Sequence, residues 1–158
     1  MKVEYANVFI KSAVAVFLKE VNVHLTRKDL ARKESPVPGR PIAIIMGITG
    51  FIRGQIVYAM DQSFAYGVAK AMLPNSLPLE SRQMANSAIS EIANIITGQA
   101  TIYLAGHAEK LYITPPVVIM ATDLTLDFLA IPTIALSLLS EIGVLEINIA
   151  LTENVAFV

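Results

Sequence analysis

The chain predicts an α+β fold, with helices and strands segregated in runs rather than alternating as βαβ units. Two long stretches repeat apolar residues with a 3.6-residue period. A C-terminal stretch alternates with a period of two, and glycines separate apolar, β-branched runs in the manner of hairpins. Glu4 to Val21 reads as the first helix: Ala6, Phe9, Ile10, Ala13, Val14, Phe17 and Val21 share one face, while Glu4, Lys11 and Lys19 fall on the other. Thr26 to Pro41 is polar and holds Pro36, Pro38 and Pro41, so it reads as a loop or extended connector. Ile42 to Ile48 and Gln55 to Met60 are strands joined through Thr49–Gly54, a hairpin. Asp61 or Ser63 caps a short helix through Met72, and Pro74 and Pro78 bracket the following turn.

A long helix runs from Leu79 or Glu80 to about Ala105, with Gly106 placed to end it. Leu111 to Ala121 is strand-like, but Pro115 and Pro116 demand a bend or an edge. Ile131 to Leu139 then pairs across Ser140–Gly143 with the final strand. There Leu145, Ile147, Ile149 and Leu151 alternate with Val144, Glu146, Asn148 and Ala150. The two halves share a similar order of elements.

At 158 residues, one domain spanning 1–158 is expected, and such a domain buries roughly 70% of its unfolded surface. Apolar residues make up 54% and charged residues 16%, which implies a large core and a face covered by something else, such as a second copy. The net charge of −1, without a basic block, argues against a nucleic-acid partner. The chain has no cysteine, hence no disulfide and no thiolate metal site, in keeping with a reducing compartment. Met1–Tyr5 lacks the apolar core of a signal peptide. Phe128 to Leu151 is broken by Pro132, Glu141, Gly143, Glu146 and Asn148, too early for a membrane span. A soluble, cytoplasmic protein with no membrane partner is expected.

The chemistry concentrates on the long helix. Ser87, Glu91 and Asn94 follow one another at offsets of four and three, so a hydroxyl, a carboxylate and a carboxamide share one stripe. Ala85, Ile89, Ile92, Ala93, Ile96 and Tyr103 form the opposite, buried face. Gly98 lies within about 20° of Glu91 on the helical wheel, and Met84, Ile95 and Ile102 border the stripe within about 40°. A bare glycine there lets another backbone approach. An acid and an amide held one turn apart can grip a partner and aim a water molecule.

Elsewhere the residues read blandly. His24 and His107 lack a ligand set, so no metal site of the chain's own is expected. Asp123 and Asp127 read as turn carboxylates. Gly47, Gly50 and Gly54 lack the strand–turn–helix order of a nucleotide loop and read as hairpin glycines. Arg27, Lys28, Arg32 and Lys33 are offset by Asp29 and Glu34, as on a solvated loop.

With these residues in place, the chain resembles the CheX branch of the CheC/CheX/FliY phosphatase family of bacterial chemotaxis. Ser87, Glu91 and Asn94 fit that family's Ser/Asp-x-x-x-Glu-x-x-Asn pattern, with Gly98 and Ala100 following and Pro115 or Pro116 as its later proline. The helix around Asn7–Ile10, the Ile48–Gly54 hairpin, and Ile131–Pro132 before the Gly143 hairpin also resemble it. Ser90, Thr97 and Gln99 depart from it, where similar sequences often have glycine, alanine and asparagine. Glu4-Tyr5-Ala6-Asn7 repeats the short motif, but with Lys11 where the second run has Gly98, so one site is expected.

The resemblance implies a pseudo-symmetric antiparallel sheet with long helices packed on one face, and a homodimer formed through the sheets. It implies a protein-aspartyl-phosphate phosphatase acting on a phosphorylated CheY-like receiver. In that reading Asn94 positions the attacking water and Glu91 pairs with the receiver lysine. Ser87, Gly98, Ile95 and Met84 contact the partner, and the Mg²⁺ belongs to the receiver, with no cofactor of the chain's own. The alternative is a non-catalytic dimeric adaptor that binds a receiver or a flagellar-switch component through the same helix.

Overall fold

The computed structural model describes residues 3–73, 81–106 and 110–154. The order along the chain is α1 (Val3–Val21), β1 (Thr26–Lys33), β2 (Val37–Pro38), β3 (Ile42–Thr49), β4 (Ile52–Met60), α2 (Gln62–Met72) and α3 (Ser81–Ala105). There follow β5 (Tyr112–Ile113), β6 (Val117–Met120), β7 (Thr125–Leu126), β8 (Thr133–Ser140) and β9 (Gly143–Glu153).

The main sheet is antiparallel in the order β1-β8-β9-β4-β3, with β5 and β6 both on the outer side of β3. That order has an internal symmetry. The hairpins β3–β4 and β8–β9 meet at the centre through β4 and β9, with Tyr58 opposite Ile147. The edge strand of each half is donated to the other half's hairpin: β1 pairs with β8, and β6 with β3. β2 and β7 pair in a second, two-stranded sheet. This is the pseudo-symmetric α+β architecture that the sequence predicts.

Period-two alternation divides the strands between two faces. Ile44, Met46, Ile56, Tyr58, Leu136, Leu138, Ile147 and Ile149 point to one face and are buried beneath the helices. On the other face Val37, Leu126 and Phe128 pack over Ala43, Val57 and Ala150. The β2–β7 ribbon thus covers part of the face away from the helices.

Thr26 to Pro41 is not a connector. Its first part is the edge strand β1, in register with β8 from Thr26↔Leu139 to Lys33↔Thr133. The strand is exposed at every position except Leu30 and Ala31. An edge strand needs a backbone partner but little buried side chain, so polar composition conceals it. Pro38 is the last residue of the short β2, where a missing N–H is tolerated.

Asp61 takes the N-cap position of α2, ahead of Ser63, but makes no side-chain capping bond. Its carboxylate lies instead 3.4 Å from Arg40, whose other amino group reaches Glu146 on β9 at 2.9 Å. The expected turn at Pro74 and Pro78, the start of the long helix at Leu79 or Glu80, and His107 fall outside the described residues. Among the described residues, no helix is long and apolar enough to cross a membrane.

Gly54 lies in β4 at φ +148, and a Cβ there would overlap the Ala150 carbonyl of β9. The two central strands can approach at that point only without a side chain. The core itself is tested at Ile147, fully buried on the helix-facing side. Ile147→Ala is expected to destabilise the fold by about 2–5 kcal/mol, read as a lower urea midpoint with an unchanged slope.

Candidate functional site

α3 packs against both α1 and α2. Its inward face is made of Ala85, Ala88, Ile89, Ile92, Ala93, Ile96 and Ala100, all buried. Small and branched apolar residues at these positions let the helix sit close to the sheet. Gly106 ends it at φ +60, its N–H donating to the Ile102 carbonyl at 3.2 Å.

The opposite face carries the polar stripe. Ser87, Glu91 and Asn94 are all exposed. None of the three makes a side-chain hydrogen bond or ion pair with another described residue. Ile95, Met84 and Gly98 are partly exposed around them, and Ile102 is 72% exposed one turn beyond Gly98. A Cβ built on Gly98 meets nothing within 4 Å. The glycine therefore relieves no crowding within this chain. Its carbonyl accepts the Thr101 hydroxyl at 2.8 Å.

Tyr103 departs from the expected pattern. Helical period puts it on the buried face, yet it is 47% exposed. Lys11 of α1 holds its ammonium 4.7 Å from the ring centroid. The last turns of α3 thus find a cation there rather than a core.

Beneath the stripe the inward face holds a polar group that periodicity did not single out. Thr97 is fully buried. Its hydroxyl lies 2.8 Å from the Tyr58 phenol of β4, 2.8 Å from the Ala93 carbonyl and 3.3 Å from Met46 Sδ of β3. Burial raises the Tyr58 phenol well above its ordinary value, and the bond to Thr97 offsets only part of that shift. The phenol therefore stays protonated, and on this contact alone either hydroxyl of the pair can donate. In the sequence Thr97 shows only as a departure from similar sequences.

The other candidates stay apart from the stripe. Asp127 accepts the Leu129 N–H at 2.8 Å, and Asp123 sits at φ 56, both turn geometries. His24 is exposed between α1 and β1. Gly47 lies within β3 and donates its N–H to Thr114 Oγ1 at 2.7 Å. Among the described residues, no group of three or more His, Asp or Glu side chains is arranged to hold a metal ion. A cleft of about 690 Å³ lies beside the end of β1 and the loop before β8, between Lys33, Asp127, Leu129 and Ile131. No residue of α3 lines it. The stripe is an exposed helix face and not part of that cleft.

The family profile described as "Chemotaxis phosphatase CheX" matches residues 42–134, which include the whole of α3. The CheY-P phosphatase CheX of Thermotoga maritima is 31% identical over 132 residues, covering 76% of this chain and 84% of that protein. The chain belongs to the CheX family. A CheX structure from Desulfovibrio desulfuricans superposes with a TM-score of 0.83 at 24% identity, covering 96% of this chain and 99% of that one. The CheX of a CheX–CheY–BeF3–Mg²⁺ complex from Borrelia burgdorferi superposes with a TM-score of 0.77 at 22% identity, covering 96% and 100%. At these identities the two structures speak for the fold alone.

An open helical glycine has a measurable consequence. Gly98→Ala is expected to stabilise this CheX-family protein by roughly 0.5–1 kcal/mol, seen as a higher thermal midpoint, because the added methyl meets no neighbour and α3 gains propensity.

Proposed function

We propose that this protein hydrolyses the aspartyl phosphate of a CheY-like receiver, with Asn94 and Glu91 of α3 as the working side chains. The observation that carries the reading is the outward projection of both residues from one rigid helix, without internal partners among the described residues. The Thermotoga relative is a CheY-P phosphatase, and the Borrelia relative forms a complex with CheY.

An acyl phosphate is already activated, and a receiver-bound Mg²⁺ neutralises its phosphoryl oxygens. What the helix supplies is position. The carboxamide of Asn94 offers a donor and an acceptor at one tip, so it can hold a water in line with the phosphorus–oxygen bond to be broken. The carboxylate of Glu91, one turn back, pairs with the receiver lysine and fixes the register of the inserted helix. Ser87 hydrates the rim. Gly98 admits the receiver backbone, while Ile95 and Met84 give the apolar edge of the contact.

These roles separate in experiment. Asn94→Ala is expected to lower kcat for phosphate release by roughly 10²-fold or more, with receiver affinity nearly unchanged, because the lost contact is made only in the transition state. Glu91→Ala is expected to weaken binding by about 2–5 kcal/mol as well as slow turnover. Timed loss of phosphate from a panel of phosphorylated receivers, alongside a binding titration, reads both. Full activity of Asn94→Ala would remove the water-positioning role. Binding without any change in phosphoryl lifetime for the unmodified protein would make it an adaptor instead.

A further inference from the structure

We infer that the buried hydrogen bond between Tyr58 and Thr97 sets the rotation of α3 about its axis, so that Thr97 is a positioning residue for Asn94 and Glu91. The inference rests on the reaction proposed above. It also has a structural readout that does not depend on that reaction.

The inward face of α3 is smooth. Ala85, Ala88, Ala93 and Ala100 alternate with Ile89, Ile92 and Ile96 on an apolar sheet surface. Apolar burial is non-directional, so it fixes which side faces the core more firmly than it fixes the last few degrees of rotation. A small gap of about 10 Å³, bordered by Phe17, Tyr58, Met60, Ile89 and Ile96, lies at this junction. A hydrogen bond is directional, and this one is anchored at the centre of the sheet.

The donors can be assigned. Threonine has one hydroxyl hydrogen, and the Ala93 carbonyl at 2.8 Å is a better acceptor than Met46 Sδ at 3.3 Å. Thr97 donates to its own helix and accepts from Tyr58 at 2.8 Å. The bond therefore links the backbone of α3, through one side chain, to β4. Thr97 lies about 60° round the helix from Asn94 and about 120° from Glu91. At a radius of roughly 6 Å, a 10° rotation moves a stripe side chain by about 1 Å. A misplacement of that size can cost on the order of 10²-fold in rate.

The test uses four variants: Tyr58→Phe, Thr97→Val, both together, and Thr97→Ser. Each is read for kcat and KM on a phosphorylated receiver and for its urea midpoint. Thr97→Val strands the buried phenol, so it is expected to lose stability and to drop kcat roughly tenfold, with KM moved less. The double variant removes both polar groups and is expected to regain the midpoint but not kcat. Thr97→Ser keeps the hydroxyl and is expected to retain kcat. Recovery of kcat together with stability in the double variant, or unchanged kcat in Thr97→Val, would overturn the inference.

Amide residual dipolar couplings along α3 report helix rotation whether or not the protein is a phosphatase. A shifted phase in the double variant supports the lock, and an unshifted phase overturns it. An inactive parent protein with a shifted phase would leave the lock standing and remove the proposed reaction.

Discussion

The structure depends on the burial of one face of α3 against the sheet. Ile89, Ile92 and Ile96 lie under the helix almost without exposure, and burying such side chains is worth about 1.5–3 kcal/mol each before chain entropy is counted. Turning the helix by about half a turn would expose this row and drive the Glu91 carboxylate toward an apolar interior, which costs several kcal/mol for an unpaired charge. Both penalties oppose the same rotation. The force that builds the core is therefore the force that presents an acid and an amide to solvent.

That face needs a rigid floor, and the sheet supplies it by interlocking. Neither half owns a complete sheet, since β1 completes the second hairpin and β6 the first. Across the central seam, β4 and β9 run in register from Ile52↔Glu153 to Ala59↔Glu146. Arg40, just before β3, adds a polar tie between Glu146 on β9 and Asp61 at the start of α2. These groups are partly exposed, so the tie matters more for geometry than for stability. Tyr58 stands near the middle of this floor, where a strand is held from both sides.

What the sequence disclosed, and what it hid, follows from the range of the interactions. α1, the two hairpins and α3 are legible because neighbouring residues alone carry their periods. Glu91 and Asn94 are legible for the same reason, since a helix brings residues three and four apart together. β1 is hidden because its partner lies more than a hundred residues away, as in Thr26↔Leu139, and its side chains bury little. Tyr103 escapes the helical period because period describes a face and not where the neighbouring core ends. Thr97 stood out only as a departure from similar sequences. Its partner Tyr58 comes from another half of the chain, which no local pattern reveals.

The internal symmetry places α1 opposite α3, and α1 carries its own exposed Glu4 and Asn7 at the same spacing. The two helices differ at the next position of the stripe. On α3 that position is Gly98, where an added Cβ meets nothing. On α1 it is Lys11, whose exposed side chain reaches across to the Tyr103 ring. A backbone that approaches α3 meets a bare turn, while one that approaches α1 meets a long, hydrated cation that must first be displaced and desolvated. The Lys11–Tyr103 contact also joins the side of α1 to the end of α3. Topology makes the two faces equivalent, and the side chain one turn beyond the asparagine makes them unequal.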